Sequence, residues 1–316
     1  MLTSRYNMVM KVVTSGQLYA DIDVYGGITS YAELLRAKGF DATAVTTAPV
    51  NGSVPPIIRG WPVPLERSYR PSSHDTYSII DVSNPDFFET FVDLKRVEAV
   101  IDHHVGFEGY WQERLGDAAH IEFIGAACTL VYEEWERAGL ADKMTRVSAK
   151  LLACGILDNT LNFSAKVTSP RDVKAYEALL KLGGLDPSWA AIYFSACEDE
   201  IVRDALTAIK NDTKSISFKS FDAPILTGQV AVWNGQELIS EYRDKFDRAF
   251  GANEQNWMIN LIGIGERSSY FITANQTIQD WLAELLQVEF KGLVAKADRV
   301  WLRKELIKLD LSLKPH

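Results

Sequence analysis

The residues of this chain that could do chemistry begin with the triplet Asp102-His103-His104. Only five histidines occur in the chain, and two of them stand here together behind an aspartate. The triplet follows an apolar run at residues 97–101, so it reads as the C-terminal end of a buried strand, where open α/β sheets bind their ligands. Imidazole and carboxylate groups together suit Zn²⁺, Mn²⁺ or Co²⁺. The triplet therefore indicates a metal site, and a hydrogen-bonded histidine pair is the alternative.

Aspartates stand at three other places where strands or helices are expected to end. They are the Asp-x-Asp pair Asp21 and Asp23, then Asp81, and then Asp158. Each has a plainer interpretation: a solvated turn with a helix N-cap for the pair, a cap for Asp81, and a helix-terminal polar residue for Asp158. However, the strands of one parallel sheet all direct their C-terminal ends at the same crevice. Together with the triplet, these positions predict one metal centre of five carboxylates and two imidazoles.

The elements expected to position these residues alternate between strands and helices in the first half of the chain. Short apolar runs predict strands at residues 8–14, 41–47, 77–82, 97–101 and 120–124. Helical spacing or helix start and stop signals predict helices at residues 28–38, 85–92, 126–138, 147–157 and 171–182. Residues 48–76 are rich in Pro, Gly and Ser and read as a long connection. The alternation predicts an α/β domain with a mostly parallel sheet and helices on both faces.

Beyond about residue 190 the pattern changes. Strands are predicted at residues 214–218, 225–233, 257–264 and 269–274, and helices at 198–211 and 236–250. This mixture predicts a smaller α+β domain with a mixed sheet. The boundary is expected within residues 188–200, which gives domains at residues 1–190 and 191–316.

Composition restricts the classes of function. Hydrophobic residues make up 47% of the 316 residues and charged residues 24%, as in an ordinary soluble globular protein. The net charge of −9 argues against a generic binder of nucleic acid or of anionic membranes. No apolar stretch reaches the ~20 residues of a membrane span, and no signal peptide is recognisable. Three cysteines without metal-motif spacing indicate buried reduced thiols. We therefore expect a soluble cytoplasmic protein.

The motifs resemble those of a known family, the DHH phosphoesterase superfamily. The resemblance lies in the Asp-x-Asp pair, the strand-end Asp81, the triplet, the turn at residues 125–129 and the stretch at residues 155–163, in that order. The C-terminal half is similar, less strongly, to the second type of accessory domain, found in manganese-dependent (family II) inorganic pyrophosphatases and related exopolyphosphatases. Asp212-Thr213-Lys214 resembles its opening lysine motif, and Leu302-Arg303-Lys304 its Ser-Arg-Lys motif with leucine replacing serine.

The resemblance implies a role for each matched position. Asp81 would bridge two metal ions, Mn²⁺ or Mg²⁺, and Asp21 would belong to the first site. The second site would be completed by Asp23, His103 and Asp158. His104 would face substrate phosphate and Asp102 would orient a histidine, so that the expected catalytic residues are Asp81, Asp102 and His104. Terminal phosphates would be held from across an interdomain cleft by Lys214, Arg303 and Lys304.

One position departs from the family's pattern. The pyrophosphatases have a histidine four residues before the Asp-x-Asp motif, and this chain has Gln17 there. An amide is a poorer ligand for a transition metal than imidazole. The first metal site is therefore expected to be weaker. Nearby Tyr19 and Tyr25 add bulk, which suits a substrate that carries an organic group.

These observations predict a metal-dependent phosphohydrolase that cleaves a phosphoanhydride bond, of pyrophosphate or short polyphosphate, by attack of water. Two alternatives stay open. A phosphodiesterase acting on short nucleotides would be favoured by base-stacking aromatic residues and opposed by a small, strongly basic cleft. A degenerate member that binds phosphate compounds with little catalysis is the other, because of Gln17. The expected partner is a small phosphate-containing molecule rather than a membrane or nucleic acid, and a homodimer is one assembly open to the chain.

Overall fold

The chain consists of two compact units. A computed structural model describes residues 9–242, 245–250 and 255–312, apart from the side chain of Glu200. The contacts within it divide the chain into a first unit, Met1–Ala190, and a second unit, Ala191–His316. Each unit is built around a six-stranded sheet of its own.

The sheet of the first unit is parallel throughout. Its strands run in the order β3-β2-β1-β4-β5-β6, and every pairing between them is parallel. They are β1 (Lys11–Thr14), β2 (Ala42–Val45), β3 (Leu65–Glu66), β4 (Thr76–Ile80), β5 (Val97–Asp102) and β6 (Ala119–Ile121). The chain moves outward in one direction from β1 to β3 and in the other from β4 to β6. The reversal point between β1 and β4 is where such sheets form a ligand crevice at their carboxyl ends.

Helices cover both faces of this sheet, as the sequence predicts. They are α1 (Ile22–Ala37), α2 (Pro56–Arg59), α3 (Glu108–Leu115), α4 (Ala127–Arg137), α5 (Arg146–Thr160) and α6 (Pro170–Gly183), and α7 (Trp189–Arg203) follows. On one face Trp111 of α3 packs with Val12 and Tyr77. On the other face Gly27 of α1 lies against Ile80 so closely that a Cβ there would be 2.7 Å from Ile80 Cγ2.

Local chemistry explains where the structure departs from the predicted elements. The first helix begins at Ile22, not residue 28, because Asp21 caps it by accepting from the amide of Val24 at 3.0 Å. The predicted helix at residues 85–92 is only a 3₁₀ turn, Pro85–Phe87. It ends because Phe88 is extended and the amide of Glu89 donates to the carbonyl of Ser15 at 3.1 Å.

Short elements account for most of the other differences in the first unit. The connection at residues 48–76 contains α2 and the edge strand β3, and α3 lies where no element was predicted. Further 3₁₀ turns occupy Leu94–Arg96, Gly116–Ala118 and Ala141–Lys143. Met8, the first residue of the first predicted strand, lies outside the described residues.

The second unit has a mixed sheet, as the sequence predicts. Its strand order is β11-β12-β10-β9-β8-β7, with a parallel pairing of β8 and β9 among antiparallel ones. The strands are β7 (Thr213–Ile216), β8 (Ile225–Val232), β9 (Trp257–Gly263), β10 (Ser268–Ile272), β11 (Phe290–Lys291) and β12 (Val294–Ala297). The helices are α8 (Ala205–Asn211), α9 (Gly235–Tyr242), α10 (Gln276–Leu286) and α11 (Arg303–Ser312).

Two predicted helices of this region are shorter than expected. The helix predicted at residues 198–211 is divided between α7 and α8, because Asp204 caps α8 by accepting from the amide of Thr207. The helix predicted at residues 236–250 is α9 followed by a 3₁₀ turn, Phe246–Ala249, and residues 243–244 lie outside the described part. Within the described ranges, every helix is too short or too polar to cross a bilayer.

Candidate metal centre

The candidate site lies at the carboxyl ends of β4 and β5. Asp81 directly follows β4 and adopts a left-handed backbone conformation with φ of +63°. Aspartate tolerates this region better than bulky or β-branched residues do. Asp102 is the last residue of β5 and is fully buried. The turn at Asp81 and the end of β5 bring the side chains that follow them to one point.

Three of the predicted residues form a close set. Asp81, His103 and His104 each offer a ligand atom, and these atoms all lie within 4.8 Å of one another. The Nε2 atom of His103 is 3.3 Å from Oδ1 of Asp81, and Nδ1 of His104 is 3.8 Å from the same oxygen. Two imidazoles and one carboxylate are a ligand set that suits a transition metal ion.

The orientation of His103 supports a ligand role. Its Nδ1 atom lies 3.1 Å from the carbonyl oxygen of Ile124. Because a carbonyl only accepts, Nδ1 carries the hydrogen, and the neutral ring has its lone pair at Nε2. That lone pair faces Asp81 Oδ1, a buried oxygen without a hydrogen-bond partner among the described residues. Two acceptors 3.3 Å apart require a positive charge between them, and a proton or a metal cation provides it.

Asp102 holds His104. Its Oδ1 atom accepts from the backbone amide of His104 at 3.0 Å and lies 2.9 Å from the imidazole Nδ1. With Nδ1 engaged in this way, Nε2 is the nitrogen that His104 can offer to a ligand. The side chain of His104 is 64% exposed, whereas that of Asp102 is buried. Asp102 therefore holds the imidazole of His104 from beneath, and a catalytic role for Asp102 stays a prediction.

The Asp-x-Asp pair combines a capping role with proximity to this set. Asp21 is the N-cap of α1, so the capping interpretation holds for it. Asp23 is fully buried, and its two oxygens accept from the backbone amides of Ala127 and Cys128, both at 2.8 Å. These amides form the N-terminus of α4, where a negative charge is favourable. Asp23 Oδ2 still lies 3.9 Å from His103 Nε2, at the edge of the close set.

Asp158 lies outside the close set in the described structure. It is half-buried in the last turn of α5. One turn earlier, Gly155 brings α5 up to the site, since a Cβ there would lie 3.0 Å from Asp23 Oδ1. Asn159, the residue after Asp158, lines a cavity at the site together with Asp21 and Asp81. The end of α5 therefore adjoins the site, while a ligand role for Asp158 stays a prediction.

The electrostatics of the site also favour a cation. Burial, and then the charge of Asp23, raise the pKa of Asp81 to about 8. Burial and Asp23 likewise raise the pKa of Asp21 above its ordinary value. Burial alone would lower the pKa of His103, but its contact with Asp81 and the charges of Asp81 and Asp23 raise it to about 10. The hydrogen bond to Asp102 raises the pKa of His104. Carboxylates that repel one another and draw protons are a donor set that fits a divalent cation.

Gln17 lies at the edge of this region. It is exposed, and its amide nitrogen is 3.4 Å from the carbonyl oxygen of Asp86. Its backbone amide donates to the carbonyl of Phe87 at 2.9 Å. The loop after β1 is thus joined to the loop after β4 at the position where relatives were expected to carry a histidine.

The predicted phosphate ligands of the second unit differ in their surroundings. Lys214, on β7, and Lys304, in the first turn of α11, are exposed. Arg303 is buried, and its Nη1 donates to the carbonyls of Asp212 at 2.6 Å and Thr227 at 2.9 Å. Its Nη2 donates to Asp212 Oδ1 at 2.9 Å. Arg303 therefore braces the β7 and β8 region, and phosphate binding by the three residues stays a prediction.

Sequence reasoning missed the apolar side chains of this cavity. The cavity measures about 530 Å³, and Leu18, Phe87, Val105 and Phe107 line it together with Tyr19. The sequence feature that could have revealed them is their position in the loops that directly follow strand ends. A second group that could hold a metal, His120, Glu122 and Glu133, also occurs in the first unit. Arg171 forms ion pairs with both glutamates, so these carboxylates already have a cationic partner.

Comparison with known proteins finds relatives by sequence over about half of the chain and similar folds over nearly all of it. No family model matches the chain. It is 26% identical over 178 residues to a Bacillus licheniformis protein assigned as a manganese-dependent inorganic pyrophosphatase, a match that covers 56% of each chain. A Streptococcus mutans protein with the same assignment is 25% identical over 183 residues, also 56% of each chain. The match thus spans little more than half the length of these relatives.

Two solved structures share the fold over nearly the whole chain. One, from Methanococcus jannaschii, is assigned to the family II inorganic pyrophosphatases, with a TM-score of 0.57, 16% identity, and coverage of 96% of this chain and 99% of that one. The other is an exopolyphosphatase-related protein from Bacteroides fragilis, with a TM-score of 0.52, 12% identity and coverage of 96% and 91%. At these identities, the likeness establishes the fold.

Proposed function

We propose that this chain belongs to the DHH superfamily, that it resembles pyrophosphatases and exopolyphosphatases within it, and that it is a metal-dependent phosphohydrolase. Its substrate would contain a phosphoanhydride bond, as in pyrophosphate or short polyphosphate. The observation that carries the proposal is the set of Asp81, His103 and His104, with potential ligand atoms within 4.8 Å of one another at the carboxyl ends of β4 and β5, next to the reversal point of a parallel sheet.

The donors suit one or two divalent cations, Mn²⁺ or Mg²⁺. We assign Asp81 as the ligand common to both ions and Asp21 to the first ion. The second ion would be held by Asp23, His103 and Asp158. The support is the lone pair of His103 Nε2 directed at Asp81 and the mutual repulsion of the buried carboxylates. When bound, such cations lower the pKa of a water molecule and neutralise the attacked phosphoryl group.

The protein's own groups would position the substrate and move one proton. When its ring is protonated at both nitrogens, His104 donates at Nδ1 to Asp102 and presents Nε2–H to a phosphate oxygen, from where it can give a proton to the leaving oxygen. In hydrolysis the oxygen of water bonds to the terminal phosphorus, and the bridging P–O bond breaks with its electron pair on the leaving oxygen. One proton of the water stays on the oxygen now bonded to the terminal phosphorus, and the other replaces the proton that His104 gives to the leaving oxygen. Lys214, Arg303 and Lys304 stay the proposed ligands of terminal phosphates, by charge complementarity.

The test is phosphate release from pyrophosphate and tripolyphosphate with Mn²⁺ or Mg²⁺. We expect Asp81→Asn to reduce release by at least about 10²-fold, since it removes the shared anionic ligand while asparagine tolerates the positive φ at this position. Lys143→Asn, an exposed change in a 3₁₀ turn, is the control and should keep full activity. A metal-loaded protein that releases no phosphate from a panel of phosphoanhydrides and dinucleotides would refute the proposal.

A second candidate is a phosphate-compound-binding protein with little catalysis. The observation that favours it is Gln17, whose amide is within hydrogen-bonding distance of the carbonyl of Asp86. This candidate would be distinguished from the enzyme if the protein binds metal and binds the phosphoanhydrides or dinucleotides tightly but does not hydrolyse them. A cytoplasmic location and a homodimeric assembly stay predictions of the sequence.

A further inference from the structure

The cavity above the candidate metal centre has apolar walls. We call the side chains of Leu18, Tyr19, Phe87, Val105 and Phe107 the apolar rim. Leu18 is 63% exposed, Val105 59%, Tyr19 53% and Phe87 46%. Large apolar side chains that gather at one opening mark a binding surface more often than single exposed residues do.

We call Asp21, Asp81 and His104 the polar floor of the cavity, and the apolar rim belongs to the same loops. Leu18 and Tyr19 lie between β1 and Asp21, Phe87 lies in the loop that begins with Asp81, and Val105 and Phe107 follow His104. A molecule whose phosphate contacts the floor therefore has its remaining atoms next to the rim. The cavity, at about 530 Å³, falls in the range of small organic ligands.

Backbone contacts hold the Leu18 and Phe87 loops together, and a ring contact holds Phe107. The loop after β1 is joined to the loop after β4 by a bridge between Gly16 and Phe88 and by the hydrogen bond from the Gln17 amide to the Phe87 carbonyl. Phe107 packs edge-on against Tyr110, with ring centroids 6.4 Å apart. A rim fixed before binding loses little conformational entropy when a ligand arrives.

The described residues of the cavity walls offer no permanently cationic side chain to the further phosphate groups of a purely inorganic substrate. Among the described residues that line it, the ionisable side chains are Asp21, Asp81, Asp102, His104 and the phenol of Tyr19, with no lysine or arginine. An inorganic polyphosphate is anionic over its whole surface and gains nothing from the apolar rim. An aromatic group attached to the phosphate would bury apolar area there and could stack on Tyr19, Phe87 or Phe107.

We propose that the substrate is an organic phosphoanhydride whose terminal phosphate lies at Asp81 and His104 and whose aromatic group lies on the apolar rim. This proposal rests on the proposed function and names its substrate class. Water would attack the terminal phosphorus, the bridging P–O bond would break, and inorganic phosphate and an organic phosphate monoester would leave. The two protons of the water divide between these products.

The experiment compares pyrophosphate, methyl diphosphate and phenyl diphosphate with the full chain and Mn²⁺. These compounds share the phosphoanhydride and differ only in the group attached to it. We expect kcat/KM for phenyl diphosphate to exceed that for methyl diphosphate about tenfold or more, which corresponds to about 1.4 kcal/mol. Leu18→Ser should reduce this ratio by a similar factor. Equal values for the two esters in the unaltered protein would overturn the proposal.

A matched control and a binding measurement complete the design. Phe123→Ser removes a side chain that is 70% exposed and does not line the cavity, so it should leave the ratio unchanged. Phenyl phosphate and methyl phosphate, titrated calorimetrically into the metal-loaded protein, test the rim without turnover. Suppose that no substrate is hydrolysed, that phenyl phosphate binds more tightly than methyl phosphate, and that Leu18→Ser weakens the binding of phenyl phosphate. The proposed function then fails, while the binding of an aromatic group at the apolar rim is confirmed. If Leu18→Ser and Phe123→Ser affect binding equally, or Leu18→Ser alters only the oligomeric state, the rim proposal fails.

Discussion

At the residue scale, the centre is defined by groups that need a positive charge between them, either a proton or a metal cation. The buried oxygen of Asp81 faces the lone pair of His103 Nε2 at 3.3 Å. Asp23 adds a third group at 3.9 Å from that nitrogen. Without a metal ion a proton held between Asp81 and His103 satisfies the pair, and a divalent cation would take the place of that proton. The capping contacts of Asp23 with Ala127 and Cys128 show how one carboxylate can serve the fold while it remains next to the site.

Gln17 gives the residue-scale prediction. We expect Gln17→His to tighten binding of Mn²⁺ at the first site by about tenfold or more, because imidazole is a better ligand than an amide for a transition metal. The measurement is metal titration by calorimetry. Gln112→His, the same exchange at an exposed position of α3 that does not line the cavity, is the control. Unchanged affinity and stoichiometry in Gln17→His would show that Gln17 does not occupy a ligand position.

At the element scale, close helix packing holds the site together. Gly26 and Gly27 stand side by side in α1, and a Cβ on Gly26 would lie 2.9 Å from the carbonyl oxygen of Leu151 in α5. A Cβ on Gly27 would meet Ile80, the residue before Asp81. Both glycines therefore allow α1 to approach the elements that carry the candidate ligands.

Gly27→Ala tests this packing. We expect it to lower the free energy of unfolding by about 1–3 kcal/mol, because the added methyl group has no space beside Ile80. The measurement is urea unfolding. Gly109→Ala is the matched control, since Gly109 lies in α3 with nothing within 4 Å of its added Cβ, and alanine there should stabilise by about 0.5–1 kcal/mol. Equal effects of the two changes would contradict the close-packing explanation.

The sequence predicts the sheet and the long helices of the first unit better than its turns, but its pattern predicts no element beyond residue 274, where α10, β11, β12 and α11 lie. Apolar runs locate β1, β4 and β5, because buried parallel strands are apolar along their whole length. The start of α1 is missed because the capping role of Asp21 competes with its interpretation as a metal ligand. The turn after Asn84 is mistaken for a helix because its termination depends on Ser15, which is remote in sequence. Of the candidate site, the polar floor is recognisable from residue types, whereas the apolar rim requires knowledge of which loops meet.

At the scale of the whole molecule, stability and ligand binding are linked. A ligand that binds only the folded state stabilises it by about 2.7 kcal/mol when its concentration is 100 times the Kd. The residues that would bind metal belong to α1, β4, β5 and α5 and to the loops that join them. A cation at this centre therefore joins elements that are far apart in the sequence, and its binding should affect unfolding of the first unit as a whole.

We expect Mn²⁺ at saturating concentration to raise the melting temperature, at about 2–4 °C per kcal/mol of added stability, and a chelator to reverse the rise. Differential scanning calorimetry measures both changes. In Asp81→Asn the rise should be much smaller, because the proposed shared ligand is lost, whereas Lys143→Asn should keep it. Mn²⁺ binds weakly to many acidic surfaces, and with a net charge of −9 such binding would persist in both variants. A rise of equal size in Asp81→Asn would therefore assign the stabilisation to surface charge rather than to this centre, and would remove the main support for metal-dependent hydrolysis.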